Sequence, residues 1–305
     1  MMRRPNVVIL IIDTLREDYS QGLERLGDLG FVRYENAIAP PAPWTLPSHV
    51  SMITGQYPSQ HQIHEAYNVG LEELVNISRE GMQRLGYGVL GELRDYGYET
   101  YVISANPFVS QDFGFKAMNN MLIPGRLYSL FHFRLYNVLV HEYGRDSIRT
   151  FLGLLNRDNV RDALVKIGHS LRYYIDVFLN GLKLLDLTME KGSRTMVKIL
   201  NGLKLSEPFF MVVNMMEAHS PYFPNDLNDK LYNSAIADWI LGRGVSDGYL
   251  RELRFRYGIH ARYAVDRAVE IVRALSRYLD NTLFIVTSDH GGELLGDGAS
   301  VTGTS

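Results

Sequence analysis

Asp13, Thr45, Asp289 and His290 have the side chains from which this sequence could build a reaction centre. Two carboxylates, one imidazole and one hydroxyl make a mostly hard-oxygen shell suited to a divalent cation. A cation held there would lower the pKa of the Thr45 hydroxyl, and the alkoxide so released is a nucleophile at neutral pH. Thr45 lies in PAPWTLPSHVSMITG, residues 41–55, where prolines stiffen the approach to a short helix. A helix entered at Leu46 would aim free N–H groups at the same place, which suits a phosphate or sulfate oxyanion. Taken singly, these residues have plainer roles. Asp13 reads as a turn or cap residue, Thr45 as an N-cap, and His219 in MMEAHSPYFP as a loop histidine. The chemical reading depends on their meeting.

The elements needed to bring them together are legible in the hydrophobic pattern. Val7–Ile12 is a continuous apolar run, as expected of a strand buried on both faces. Thr100–Ser104, Phe209–Val213 and Leu283–Thr287 read as further buried strands. Residues 47–54 read as a short helix, and Leu90–Tyr96 as a helix that stops at Gly97. Ile259–Tyr278 carries Ala261, Ala264, Val265, Ala268, Val269, Val272 and Leu275 at helical spacing. Strands alternating with helices predict an α/β fold, a three-layer αβα sandwich around a mostly parallel central sheet. Ligands in such sheets bind beyond the carboxyl ends of the strands, where Asp13 and Asp289–His290 fall. Residues 117–205 predict a mainly helical insertion without a strand, within one domain spanning 1–305.

Composition sets the outer bounds. The chain has 305 residues, 46% of them apolar, enough for a sizeable core. A net charge of −3 excludes the basic excess of a nucleic-acid binder. With no cysteine, disulfides, thiolate metal sites and cysteine nucleophiles are ruled out. The apolar run after Arg3 and Arg4 ends at Asp13 and is shorter than the roughly 7–15 residues of a signal core. No window approaches the roughly 20 apolar residues of a membrane span. A soluble, cytoplasmic protein is expected. In residues 124–175, Lys and Arg outnumber Asp and Glu among interleaved Tyr and Phe. That stretch reads either as a helical lid with a solvated basic face or as a peripheral membrane contact. The oligomeric state is not readable.

Four segments together resemble the sulfatase-like branch of the alkaline phosphatase superfamily: PNVVILIIDTLREDYS, PAPWTLPSHVSMITGQYPSQH, NMMEAHSPYFP and NTLFIVTSDHGGELLGD. The intervening DYGYETYVISANPF is similar to the family as well. The resemblance implies an alkaline phosphatase-like fold and one divalent cation. Asp13, Thr45, Asp289 and His290 would be its ligands. An oxygen-rich shell favours Mn²⁺, Mg²⁺ or Ca²⁺, with Zn²⁺ as a further candidate. It also implies Thr45 as nucleophile, His219 as substrate contact and leaving-group acid, and His49 and Asn106 as substrate-binding positions. His61 lies in a segment that supports the site in the family, with a purely structural role as the equal alternative, and Arg16 would anchor the loop after Asp13.

The sequence departs from the family pattern in ways that narrow the reaction. Sulfatases oxidise a Cys or Ser at the nucleophile position to formylglycine, an aldehyde that Thr45 cannot form because its β-carbon bears a methyl group. His49 stands where the sulfatase signature has arginine, and Thr14 where a second aspartate is usual. The resemblance therefore points to the threonine-nucleophile members, which cleave or transfer phosphate esters through a phospho-threonine. The alternatives are a sulfuric ester hydrolase, or a degenerate member that binds an anion or partner without catalysis. The substrate would be a small-molecule, glycan or lipid phosphate or sulfate ester. Family members continue past the Asp–His–Gly motif, and the tail GDGASVTGTS lacks that continuation and the histidine often found there.

Overall fold

The computed structural model describes residues 3–64, 69–123, 175, 178–180, 182, 184, 186–227, 229–292 and 294. Five parallel strands form one sheet in the order β3-β2-β4-β1-β5. They are β1 (Asn6–Ile12), β2 (Glu99–Ser104), β3 (Asn119–Leu122), β4 (Phe209–Met215) and β5 (Thr282–Thr287). Every residue of the central strand β4 is buried, as a continuous apolar run covered on both faces requires.

Helices close both faces. On one side lie α1 (Thr45–Thr54), the short α2 (Pro58–His61), α3 (Leu71–Arg84) and α4 (Val89–Asp95). Leu46, Val50, Leu74, Met82 and Leu90 from these helices pack with Ile11, Val102, Phe210 and Val212 of the sheet. On the other side lie α5 (Ser193–Gly202) and α7 (Asp247–Ala274), preceded by α6 (Lys230–Ile240). The helix α7 buries Ala261, Ala264, Val265, Ala268, Val269 and Val272 against Val8, Leu10, Met211 and Val213. Small alanines let its backbone approach the sheet, and each fully buried valine contributes about 1.5–3 kcal/mol.

The α/β sandwich agrees with the sequence expectation, and the differences are instructive. The helix expected over Ile259–Tyr278 begins at Asp247, where the Ser246 hydroxyl accepts from the Tyr249 N–H at 3.3 Å. That first half buries Leu253 and Tyr257 amid Arg251, Glu252, Arg254 and Arg256, a sparser stripe than the alanine-rich second half. The strandless insertion fails at its start, because Asn119–Leu122 pairs with Tyr101–Ser104 as edge strand β3. Its two asparagines hide it from a hydrophobic pattern. Residues 124–174 lie outside the described residues, and with them the lid and membrane-contact readings of 124–175. Strand β5 was expected to be buried, yet Leu283 and Ile285 are 57% and 40% exposed. It is an edge strand, and only its Phe284 and Val286 face packs on the core that includes α7. Among the described residues no helix is long and apolar enough to cross a membrane.

Candidate metal centre and catalytic site

The carboxyl ends of β1, β2, β4 and β5 supply one buried polar cluster. Asp13 follows β1 directly, its N–H donating to Met215 O of β4 at 2.9 Å. The next residue, Thr14, takes a left-handed backbone (φ 60), which is unusual for a β-branched side chain. That turn points the Thr14 N–H at Asp289 Oδ1, 3.1 Å away. Tyr257 of α7 holds the turn, donating to Thr14 O at 2.7 Å and accepting from the Arg16 N–H at 2.9 Å. The Arg16 side chain reaches Asp18 and the Gly292 carbonyl, so it ties the two loops together.

After β5, Ser288 donates to Ile12 O at 2.9 Å and fixes the Asp289–His290 turn against β1. Asp289 Oδ1 accepts from the His290 N–H at 2.9 Å. His290 Nδ1 lies 3.0 Å from Gly291 O. A carbonyl only accepts, so Nδ1 carries the proton and Nε2 presents a lone pair. Three atoms are then left without hydrogen bonds in this buried space: Asp13 Oδ1, Asp289 Oδ2 and His290 Nε2. His290 Nε2 lies 3.9 Å from Asp13 Oδ1 and 3.5 Å from Asp289 Oδ2. Ligand atoms of the three residues all fall within 4.8 Å of one another. Two carboxylate oxygens and an imidazole nitrogen, each without a hydrogen bond among the described residues, are the donor set a divalent cation takes up, and these residues fit one.

Charge explains the same cluster. Burial pushes the Asp13 carboxyl up, but His219, His290, His49 and the Asn106 amide outweigh it and hold it below the usual range. Asp289 is held above that range, by burial first and by the charge of Asp13 second. Burial opposes protonation of His290, yet the two aspartates raise it overall. Without a cation, the two carboxylates cannot both be comfortably ionised.

Thr45 is the first residue of α1, and the N-cap is Trp44, whose side chain makes no capping bond. The Thr45 hydroxyl is therefore not spent on helix capping, contrary to its plainer reading. It lies 3.4 Å from Asp13 Oδ2 and 3.4 Å from Asn106 Nδ2. Asn106 donates from Nδ2 to Asp13 Oδ2 at 2.9 Å and accepts from the Phe108 N–H at 3.0 Å. Buried beside the aspartate, it steadies Asp13 and Thr45 from the protein side. His49 is wholly buried one turn along α1, Nδ1 at 2.9 Å from Thr45 O and Nε2 at 3.1 Å from Asn214 Nδ2. Expected at the substrate, it instead props Thr45 and stands 3.6 Å from Asp289 Oδ2. Ser48 donates to Asp289 O at 2.7 Å. His61 is buried, its Nε2 3.2 Å from Ser51 Oγ and its Nδ1 accepting from the Ile63 N–H at 2.9 Å.

His219 follows β4 at the same sheet edge, its Nδ1 2.8 Å from Ser220 O. Its influence on the Asp13 carboxyl places it in the field of the centre. Sequence reasoning passed over Asn214, whose amide lies 3.5 Å from Asp13 Oδ2. The available signal was a lone asparagine near the end of the apolar strand FFMVVNM.

With this geometry in place, the comparisons assign the family. The family model described as Sulfatase matches residues 5–304, and the chain belongs to that family. No curated protein matches the sequence. A putative sulfatase from Bacteroides thetaiotaomicron shares 15% identity at a TM-score of 0.51, covering 95% of this chain and 59% of that one. Two structures of the C-terminal periplasmic domain of EcEptC from Escherichia coli, one in complex with Zn, align at 11% identity and a TM-score of 0.46. They cover 96% of this chain and 65% and 66% of theirs. The chain thus spans less than two thirds of the length of the putative sulfatase and of both EcEptC domains.

Proposed function

We propose that the chain is a metal-dependent enzyme that cleaves or transfers phosphate esters with Thr45 as nucleophile. The observation that carries this reading is the Thr45 hydroxyl 3.4 Å from Asp13 Oδ2, beside three buried ligand atoms without hydrogen bonds. Asp13, Asp289 and His290, with Thr45 itself, would hold the cation. A bound cation would supply Lewis-acid charge, making the Thr45 hydroxyl more acidic and offsetting the charge of the ester oxygens. The chain's own residues do the rest. Asn106 and His49 hold Thr45 in place from its side chain and its carbonyl. Thr45 Oγ, its proton lost to solvent, attacks phosphorus, forming the threonine–oxygen–phosphorus link as the bond to the leaving alcohol breaks. His219 donates its proton to the departing oxygen. Water, or a second alcohol, then takes the phosphoryl group from Thr45.

A sulfate ester is the competing substrate, favoured by the family description alone. The methyl on the Thr45 β-carbon speaks against it. The deciding experiment assays aryl phosphate monoesters, phosphate diesters and sulfates with Mn²⁺, Mg²⁺, Ca²⁺ and Zn²⁺ in turn. Phosphate ester turnover is expected. Turnover of sulfates alone overturns the phosphate reading. Metal binding without any turnover leaves the anion- or partner-binding alternative. The cytoplasmic location expected from the sequence belongs to this proposal, and cell fractionation checks it.

A further inference from the structure

Beyond the centre itself, the loop after β4 holds a second polar chain. His219 Nδ1 lies 2.8 Å from Ser220 O and 3.3 Å from Ser220 Oγ. Ser220 Oγ lies 3.1 Å from Asp229 Oδ2. The direction of this chain follows from which atoms can donate. A carbonyl accepts only, so His219 Nδ1 carries its proton and donates it to Ser220. A carboxylate accepts only, so the Ser220 hydroxyl donates to Asp229 and turns a lone pair to the imidazole.

We infer that Asp229, acting through Ser220, is the positioning residue that orients His219 for leaving-group protonation. This inference rests on the reading of His219 as that acid. Asp229 immediately precedes α6 in a left-handed backbone (φ 57), yet its side chain caps nothing there. Asp226 takes the capping role, accepting from the Lys230 N–H at 3.1 Å and from the Leu231 N–H. The Asp229 carboxylate is thus kept for Ser220, in a backbone conformation a glycine would adopt more readily. Other charged groups in the field of His219 and Asp229 are Asp13 after β1, Lys191 before α5 and Asp226 in the same loop. Burial holds the Asp229 carboxyl above its usual range, against the pull of His219, the Ser220 hydroxyl and Lys191. A chain of hydrogen bonds running from the ring through a hydroxyl to a carboxylate fixes the orientation of the imidazole.

The test compares a poor and a good leaving group. Wild type, Asp229→Asn and Ser220→Ala are assayed with Mn²⁺ on phenyl phosphate and 4-nitrophenyl phosphate. Asparagine tolerates the left-handed backbone and removes only the charge. Phenolate needs a proton to leave, and nitrophenolate needs it much less. Both variants should lose about 10–100-fold in kcat on phenyl phosphate, with KM little changed. On 4-nitrophenyl phosphate they should stay within about 3-fold of wild type. Equal losses on both esters, or no loss on either, overturn the inference. So does loss of Mn²⁺ binding by calorimetry in step with activity, which would make Asp229 a residue of the fold. A wild type inert on both esters removes the parent reading first, and the inference falls with it.

Discussion

Asp13 Oδ1 and His290 Nε2 face each other across 3.9 Å of buried space, and neither makes a hydrogen bond. Asp289 Oδ2 completes the arrangement at 3.5 Å from the same nitrogen. Each unsatisfied buried polar atom costs about 1–3 kcal/mol, so three together weaken the fold. A cation that binds the folded state alone repairs it. At 100 times its dissociation constant it adds about 2.7 kcal/mol of stability. Mn²⁺ should therefore raise the thermal midpoint of the wild type, and Asp289→Asn should respond far less. Equal responses in calorimetric scans would place the cation elsewhere.

Thr45 sits where its hydroxyl contributes little to the fold and much to the proposed reaction. Its side chain makes no capping bond, and its nearest polar neighbours are Asp13 and Asn106 at 3.4 Å. Thr45→Ala should fold with a stability change of about 1 kcal/mol or less. Turnover should fall by at least about 10³-fold, as for loss of a nucleophile. Thr45→Ser keeps the hydroxyl and should retain measurable turnover. Steady-state assays with purified variants decide it. Full activity in Thr45→Ala would refute the nucleophile.

Asn106 acts on the centre from behind. Its amide donates to Asp13 Oδ2 at 2.9 Å, leaving Oδ1 to face His290 Nε2 at 3.9 Å. Groups that orient a metal ligand are worth about 10–100-fold in metal affinity. Asn106→Leu should weaken Mn²⁺ binding by that amount in isothermal titration. An unchanged affinity would reduce Asn106 to a packing residue.

How much of this was readable beforehand depends on the kind of signal. Val7–Ile12 and Phe209–Val213 are apolar on both faces because they lie inside the sheet, so composition alone exposes them. Strand β3 and the first half of α7 are half-polar elements, and their form is set by partners distant in sequence. Asp13, Thr45, Asp289 and His290 were legible as a group because each falls at an element end. The structure brings these ends to one place. The role of His49 was not legible. Whether a histidine faces a ligand or props a carbonyl depends on the rotation of α1, which Asn214 and Asp289 fix from other strands. Asp229 was equally hidden, since its partner is a neighbouring serine rather than a residue of the motif.

Lys191 offers a prediction independent of the reaction. It is wholly buried, its Nζ 3.2 Å from Glu217 O and 3.1 Å from His260 Nδ1. Burial brings its pKa from 10.5 down to about 7, against the pull of Glu217 and Asp229. His260 falls to about 2, from burial and from the charge of Lys191, so it is neutral above pH 7 in either state. Between pH 7 and 10.5 the unfolded lysine keeps a proton that the folded one releases. The unfolded state then binds more protons, and stability must rise with pH across that window. Below the folded value both states are protonated, and the full penalty is constant. One such proton corresponds to about 1.4 kcal/mol per pH unit. The wild-type urea midpoint should therefore climb from pH 7 to pH 9 more steeply than that of Lys191→Met. Parallel slopes would mean that the lysine keeps its proton inside the fold, held by Glu217.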